Sequence, residues 1–407
     1  MLYNLTFEQK EELVIIRVKI ENIMLIVWTL ALITYFFQVP FSFLASFIVP
    51  LLGLFMILSI INRNFKIKKI DASFVLLMIY ILFSVVMSMA NGVALARIIR
   101  FTLIISMIPL FSLIEMENKQ RFQKVFLIIA CLKSFFIIYL AFKLIMAYHF
   151  GIGNYWGMRF QFIESGFGDI YIASGIPKVQ IQGNGILPVA FMLSCYNTRE
   201  KYAKIMSGIL LIGILFAGNF AFYLGLLFFG MYILYKLFMN NAKKKWIQYS
   251  KYLIILALPV AVIAVVYYVK GQISLKSGES NAIRIEQMHA LFSGNWLIGN
   301  GLGSSVDYIG KFRDYTGNIY FELQTLYVFF QIGLIGMLLF FICMLLRFNH
   351  KRKVCLVLFL IYLAYTFWNP YCFDTTEMMA VVLIMNMPDN NEISCLIHDL
   401  LYGKGCK

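Results

Sequence analysis

Residues able to do chemistry are few in this 407-residue chain. The segment 280–292 reads as a short helix with a Ser/Asn start. That places Arg284 in its first turn, beside backbone N–H groups that favour anions, with His289 further along. A glycine-rich run follows, Gly299-Asn300-Gly301-Leu302-Gly303-Ser304-Ser305. It has two readings, a tight loop or a nest of backbone N–H groups for an oxyanion. It does not lie between a strand and a helix, so it does not signal a dinucleotide fold. Glu322 stands where the chain re-enters an apolar run. A partly desolvated carboxylate there suits a general base, and a solvated boundary glutamate is the other reading. Arg97 and Arg100, three apart and hence on one helical face, open another apolar run. They either snorkel to an interface or hold a phosphate. Lys143 and Arg159 are further cations able to join an anionic site. Lys133 sits too deep in its apolar run to snorkel from either end and suggests a hydrated cavity.

Other chemistries lack their residues. There is no HExxH and no Walker loop, and His149, His289, His350 and His398 are far apart, so neither a zinc cluster nor any other metal or cofactor is called for. Loop aromatics (Tyr155, Trp156, Tyr171, Trp296, Tyr308, Tyr315, Tyr320) fit either a membrane interface or stacking on sugar faces.

The elements that must carry these residues are apolar. The chain is 61% hydrophobic and only 14% charged, with mean hydropathy +0.80. A soluble domain is about half apolar and a quarter charged. A soluble enzyme, a disordered chain and a disulfide scaffold are thereby excluded, and the expected fold is an all-α polytopic integral membrane protein forming a single membrane domain over 1–407. Apolar runs lie at 23–38, 41–61, 72–90, 93–114, 125–147, 179–195, 205–217, 220–238, 252–269, 323–346, 354–368 and 376–387. At roughly 20 residues per span, that is about twelve transmembrane helices. Gly218-Asn219 offers a turn that divides 205–239 in two, and Asn369-Pro370 separates the last pair.

Charge sets the orientation. Of 35 Lys and Arg, 24 fall in alternate connections and the two tails, so most of the net charge of +15 reflects topology rather than a nucleic-acid surface. Both termini are expected to be cytoplasmic. Residues 1–22 lack a cleavage signal, so the first apolar run is expected to be a retained anchor. Two long loops, 148–178 and 270–322, fall on the opposite, periplasmic side, and each is electrically balanced. The seven cysteines are scattered without a CxxC pair or disulfide framework. No internal repeat is apparent.

On these residues the chain resembles the O-antigen and capsular polysaccharide polymerases (Wzy-type), a branch of the O-antigen ligase/polymerase superfamily. The likeness rests on ten or more spans, a late large periplasmic loop, and motifs across 284–336. These are Arg284-Ile-Glu-Gln, Leu297-Ile-Gly-Asn-Gly301-Leu-Gly303-Ser, Glu322-Leu-Gln324 and Gly333-Leu-Ile-Gly336. The resemblance implies a GT-C-like membrane glycosyltransferase of the bacterial inner membrane. Its substrate would be an undecaprenyl-diphosphate-linked glycan transferred to another lipid-linked repeat unit at the periplasmic leaflet. Arg284 matches the family's loop arginine, and Arg159 is the natural second; with Arg97, Arg100 and Lys143 they would bind the diphosphate. Glu322 stands where the ligase branch has a histidine, which favours polymerase. Gly301, Gly303 and His289 would lie near the site. Implied partners are membrane lipids, a chain-length regulator and a flippase. A lipid-linked oligosaccharide flippase is the alternative function; it suits twelve spans and Lys133, but not the placement of distinctive residues outside the membrane or the lack of a repeat. A non-catalytic assembly protein would leave Arg284 and Glu322 unexplained.

Overall fold

The computed structural model describes residues 7–173, 175–196, 202–240, 278–319 and 321–387. The apolar run 252–269 lies outside them. The chain begins with α1 (Phe7–Phe36), α2 (Ala45–Ile61), α3 (Ala72–Ala90), α4 (Leu95–Phe111) and α5 (Lys119–His149). The first long loop follows, with α6 (Tyr155–Glu164), β1 (Gly168–Ala173) and β2 (Ile176–Ile181). After it come α7 (Leu187–Tyr196), α8 (Ala203–Ala217) and α9 (Phe220–Asn240). The second loop carries α10 (Gly278–Phe292), and the chain closes with α11 (Gln324–Lys351), α12 (Lys353–Thr366) and α13 (Thr375–Met385).

Mostly helical, the chain has several helices apt for a bilayer. Among the described residues, five stretches are long and apolar enough to cross one: Val18–Phe36, Ser42–Ile61, Ala72–Ala90, Lys119–His149 and Gln324–Lys351. Their surfaces are inverted relative to a soluble bundle. On α3, Leu76, Ile79, Leu82 and Val86 face outward, while Ser84 and Ser88 are buried. Small polar residues at helix contacts and aliphatic residues outside are what lipid as solvent selects.

Neither twelve full spans nor a GT-C arrangement follows from these elements. Among the described residues, α7, α8, α9, α12 and α13 are shorter apolar helices. The expected span 179–195 is the clearest departure. Its first residues are strand β2, antiparallel to β1 with Ile170 opposite Val179 and Gly168 opposite Ile181. Ile170, Val179 and Ile181 are all buried. Alternating apolar residues packed beneath a hairpin look like the start of an apolar helix when only composition is read. The helix proper is just the ten residues of α7. The turn at Gly218 is as expected: it adopts φ 64, caps α8, and α9 starts at Phe220.

Lys133 explains how irregular backbone is accommodated beside α7. Fully buried, its Nζ donates to the carbonyls of Phe36 at the end of α1 and Gln182 after β2, each at 2.8 Å. The expected hydrated cavity is absent at this lysine; the ammonium satisfies two backbone acceptors that apolar surroundings would leave unpaired.

A second irregularity organises the other half. Helix α11 is interrupted at Gly333, whose φ 64 and ψ −175 are not helical. The interruption frees carbonyls before it and N–H groups after it, and residues 296–301 take both sets. Asn300 N donates to Phe330 O at 3.0 Å and Gly301 N to Gln331 O at 2.9 Å. In return Leu334 N donates to Trp296 O at 2.9 Å and Ile335 N to Leu297 O at 3.1 Å. The Tyr80 hydroxyl, from α3, lies 2.9 Å from the carbonyls of both Ile298 and Ile332. A helix break stabilised by an inserted strand of backbone satisfies the polar groups that lipid cannot.

The connections sort to two ends. At the basic end, Glu115 between α4 and α5 binds Lys69 Nζ at 2.9 Å and Lys351 Nζ at 2.8 Å, so three connections converge on one carboxylate. At the loop end, Asn91 Nδ2 after α3 donates to Asn300 O at 3.2 Å.

Two outcomes follow. Gly299 has φ +82, and a Cβ there would penetrate the Gln331 carbonyl. Gly299→Ala should cost about 3 kcal/mol or more, read as a lower melting temperature in detergent. Gly208→Ala, with open space around it on α8, should be neutral or slightly stabilising. At the basic end, burial raises the Glu115 carboxyl, but the Lys351 and Lys69 hydrogen bonds and charges outweigh it and hold the group at about 2. With a folded value below the ordinary 4.5, Glu115 contributes stability fully above that pH and loses it as pH falls toward 2. The melting-temperature gap between wild type and Glu115→Gln should close over that window.

Candidate functional site

At the loop end, α10 begins at Gly278, two residues earlier than its Ser/Asn start suggests. Arg284 therefore sits in the second turn rather than the first, and the helix N-terminus is not what would bind an anion beside it. What positions Arg284 is the face it shares with Gln287. Three apart on α10, both point to the chain entering α11. Arg284 Nε lies 3.5 Å from Glu322 Oε2, and Gln287 Oε1 accepts from Leu323 N at 3.4 Å. Glu286 is turned the other way and buried. Its carboxylate accepts from Lys311 N at 2.5 Å and Phe312 N at 3.0 Å, clamping the loop that returns from α10. A ladder of rings, Tyr308, Tyr315, Phe321 and Tyr327, then runs from that loop into α11, and Phe101 of α4 closes edge-on against Tyr327 at 5.4 Å.

The Arg284–Glu322 pair is loose. The side chains are 39% and 48% exposed and the single contact is at the long limit of a hydrogen bond. Glu322 is thus half-exposed at the protein surface and open to whatever approaches Arg284. Such a pair can exchange partners cheaply, because little desolvation or geometry is invested in it.

The glycine-rich run is used structurally. Gly299 N donates to Asn295 O, Asn300 N and Gly301 N to α11, and Gly303 N to Gln331 Oε1 at 2.8 Å. With its amides so engaged, the tight-loop reading holds and the oxyanion nest does not. Gly301 packs on Ser88 and Gly303 on the backbone of Arg97, positions where a Cβ would not fit. Arg97, half-buried, is thereby fastened beside this loop, and Arg100, three residues on along α4, is exposed. The Arg100 guanidinium lies 5.9 Å over the neighbouring Phe101 ring, and both arginines are within electrostatic range of Tyr327. His289 is exposed on α10. No group of three His, Cys, Asp or Glu placed to hold a metal occurs among the described residues.

Arg159 is carried by α6 of the first long loop and Lys143 by α5 before it. Arg159 makes a bidentate pair with Asp169, Nε and Nη2 each at 2.9 Å, and lies over Trp156 and Tyr171. The Asp169 carboxylate raises its already high pKa. Lys143, exposed on α5, sits 5.0 Å over the Tyr139 ring. Sequence reasoning gave no role to Asp169 or Gln331, and quoted Glu286 and Gln287 only as part of the Arg284-Ile-Glu-Gln motif.

Double-mutant cycles should separate the two arginines. The Arg159–Asp169 coupling should approach about 1 kcal/mol, as a fork-shaped pair. The Arg284–Glu322 coupling should be within about 0.3 kcal/mol of zero. Thermal unfolding of the four single and two double alanine variants reads both.

In comparisons with known proteins, no family model, curated protein or solved structure matches this chain.

Proposed function

We propose that the chain is a glycosyltransferase that joins undecaprenyl-diphosphate-linked oligosaccharide repeat units into O-antigen or capsular polysaccharide. It would act at the periplasmic face of the bacterial inner membrane, with both termini cytoplasmic. The observation carrying the reading is the convergence of Arg284 and Glu322, 38 residues apart in sequence, as a solvent-open and loosely held pair at the loop end. Polymerisation needs a cation for a diphosphate leaving group and a base for an acceptor hydroxyl, and this pair offers one of each. The acceptor oxygen attacks the anomeric carbon as the bond to the diphosphate breaks. Glu322 takes the hydroxyl proton, and the Arg284 guanidinium, drawn off Glu322, holds two oxygens of the departing diphosphate. Arg97, whose backbone packs on Gly303, and Arg100, three residues on, supply further positive charge. Arg159 has a smaller part in the diphosphate site, since Asp169 already occupies its fork. Of the two features that suit the flippase alternative, Lys133 has a structural use, donating to the carbonyls of Phe36 and Gln182.

Purified protein incubated with a synthetic lipid-linked repeat, without added metal, should yield a ladder of polymer. Arg284→Ala should reduce it by 100-fold or more, on the order of losing one charge-stabilising donor. Arg284→Lys should be nearly as damaging, because an ammonium cannot present a fork. Full activity in the lysine variant would sink the mechanism. In cells, loss of the protein should leave single-repeat glycan on the outer leaflet, whereas a missing flippase strands units on the inner one.

A further inference from the structure

The basic end contains a cavity of about 250 Å³ between the α2–α3 connection, the last turn of α11 and the end of α13. Lys69, Asp71, Arg347, His350 and Lys351 line it. Its wall includes an arginine whose hydrogen bonding is incomplete. The Arg347 side chain is only 3% exposed and its guanidinium lies 5.0 Å over the Phe74 ring. The Nη2 atom is 3.6 Å from Asp71 Oδ2, beyond hydrogen-bond distance, and neither Nε nor Nη2 finds an acceptor within the protein. Buried donors without acceptors are costly.

The nearby carboxylates do not meet this demand. Asp71 Oδ1 is held by Ser73 Oγ at 2.6 Å and by Phe74 N at 2.9 Å as the cap of α3, which fixes the side chain short of Arg347. Glu115 is already shared between Lys69 and Lys351. Three fixed cations thus face two committed carboxylates, with the exposed His350 at the rim able to add positive charge.

We propose that this cavity binds a phosphoryl group, with two of its oxygens on Arg347 Nε and Nη2 and its remaining charge toward Lys69, Lys351 and His350. A buried guanidinium edge with two unpaired N–H groups matches paired phosphate oxygens. Cavities of this kind between helices at a basic membrane face take lipid headgroups, and a free phosphate presents the same oxygens. The inference is independent of the polymerase reading, since it uses none of the loop-end residues.

The test uses the full-length protein. In one arm it is reconstituted in vesicles of phosphatidylcholine alone or with phosphatidylglycerol, released, and weighed by native mass spectrometry. In the other, inorganic phosphate is titrated into detergent-solubilised protein while the melting temperature is followed. Retained phosphatidylglycerol without a phosphate response identifies a lipid headgroup; a saturable phosphate response identifies a soluble ligand. In either case His350→Glu and Arg347→Lys should weaken binding at least ten-fold, and Arg121→Glu, an exposed charge reversal elsewhere on the chain, should not. His350 is exposed at the rim, so its variant carries the test if Arg347→Lys does not fold. Absence of both lipid retention and phosphate response in the wild type, or equal weakening by Arg121→Glu, overturns the proposal.

Discussion

The exchange of backbone hydrogen bonds at the break in α11 is the constraint on which the loop end depends. A helix interrupted in apolar surroundings must find partners for the groups it frees, and here residues 296–301 provide them. Once that segment is inserted, the rest of the second loop has little freedom. Gly301 must lie on Ser88 and Gly303 on Arg97, and α10 is brought back across the entrance to α11. The Arg284–Glu322 meeting is thus a consequence of Gly299 and Gly333 approaching each other as only two glycines can. The motif residues that look most like a binding loop are therefore the frame, and the cations around it are what remains available.

Those cations show how one charge type acquires different roles from geometry alone. Lys133 is deep and saturated by two carbonyls, which makes it a tether. Arg159 has its fork filled by Asp169 and its faces covered by rings, which makes it part of a rigid platform for the first loop. Arg284 is half-exposed with one long contact, and stays free to change partners. Arg347 is buried with Asp71 3.6 Å from its Nη2, close enough for an ion pair and too far for a hydrogen bond. Net charge distinguishes none of these cases, because burial, distance and the number of acceptors decide them.

Much of the large-scale reading was legible in the chain. Helix α3 stands where its apolar run places it, the Gly218 turn divides 205–239, and three basic connections do meet at one end. These features are set by composition and by local backbone preference. The half-length helices, the hairpin within 148–181 and the interrupted α11 were not legible, because apolar residues look alike whether they face lipid, a strand or a second helix.

What the sequence determined by itself is the class of molecule, an apolar and mostly helical chain with helices long enough to cross a membrane. Hydropathy and charge act residue by residue and need no partner to be read. Only the tertiary structure decided which arginine is free, which glycines are structural and which span is broken. Each of those depends on backbone groups distant in sequence finding one another, as 299 finds 333 and 284 finds 322. Hydrogen-bond satisfaction is a property of the assembled chain, and no local pattern carries it.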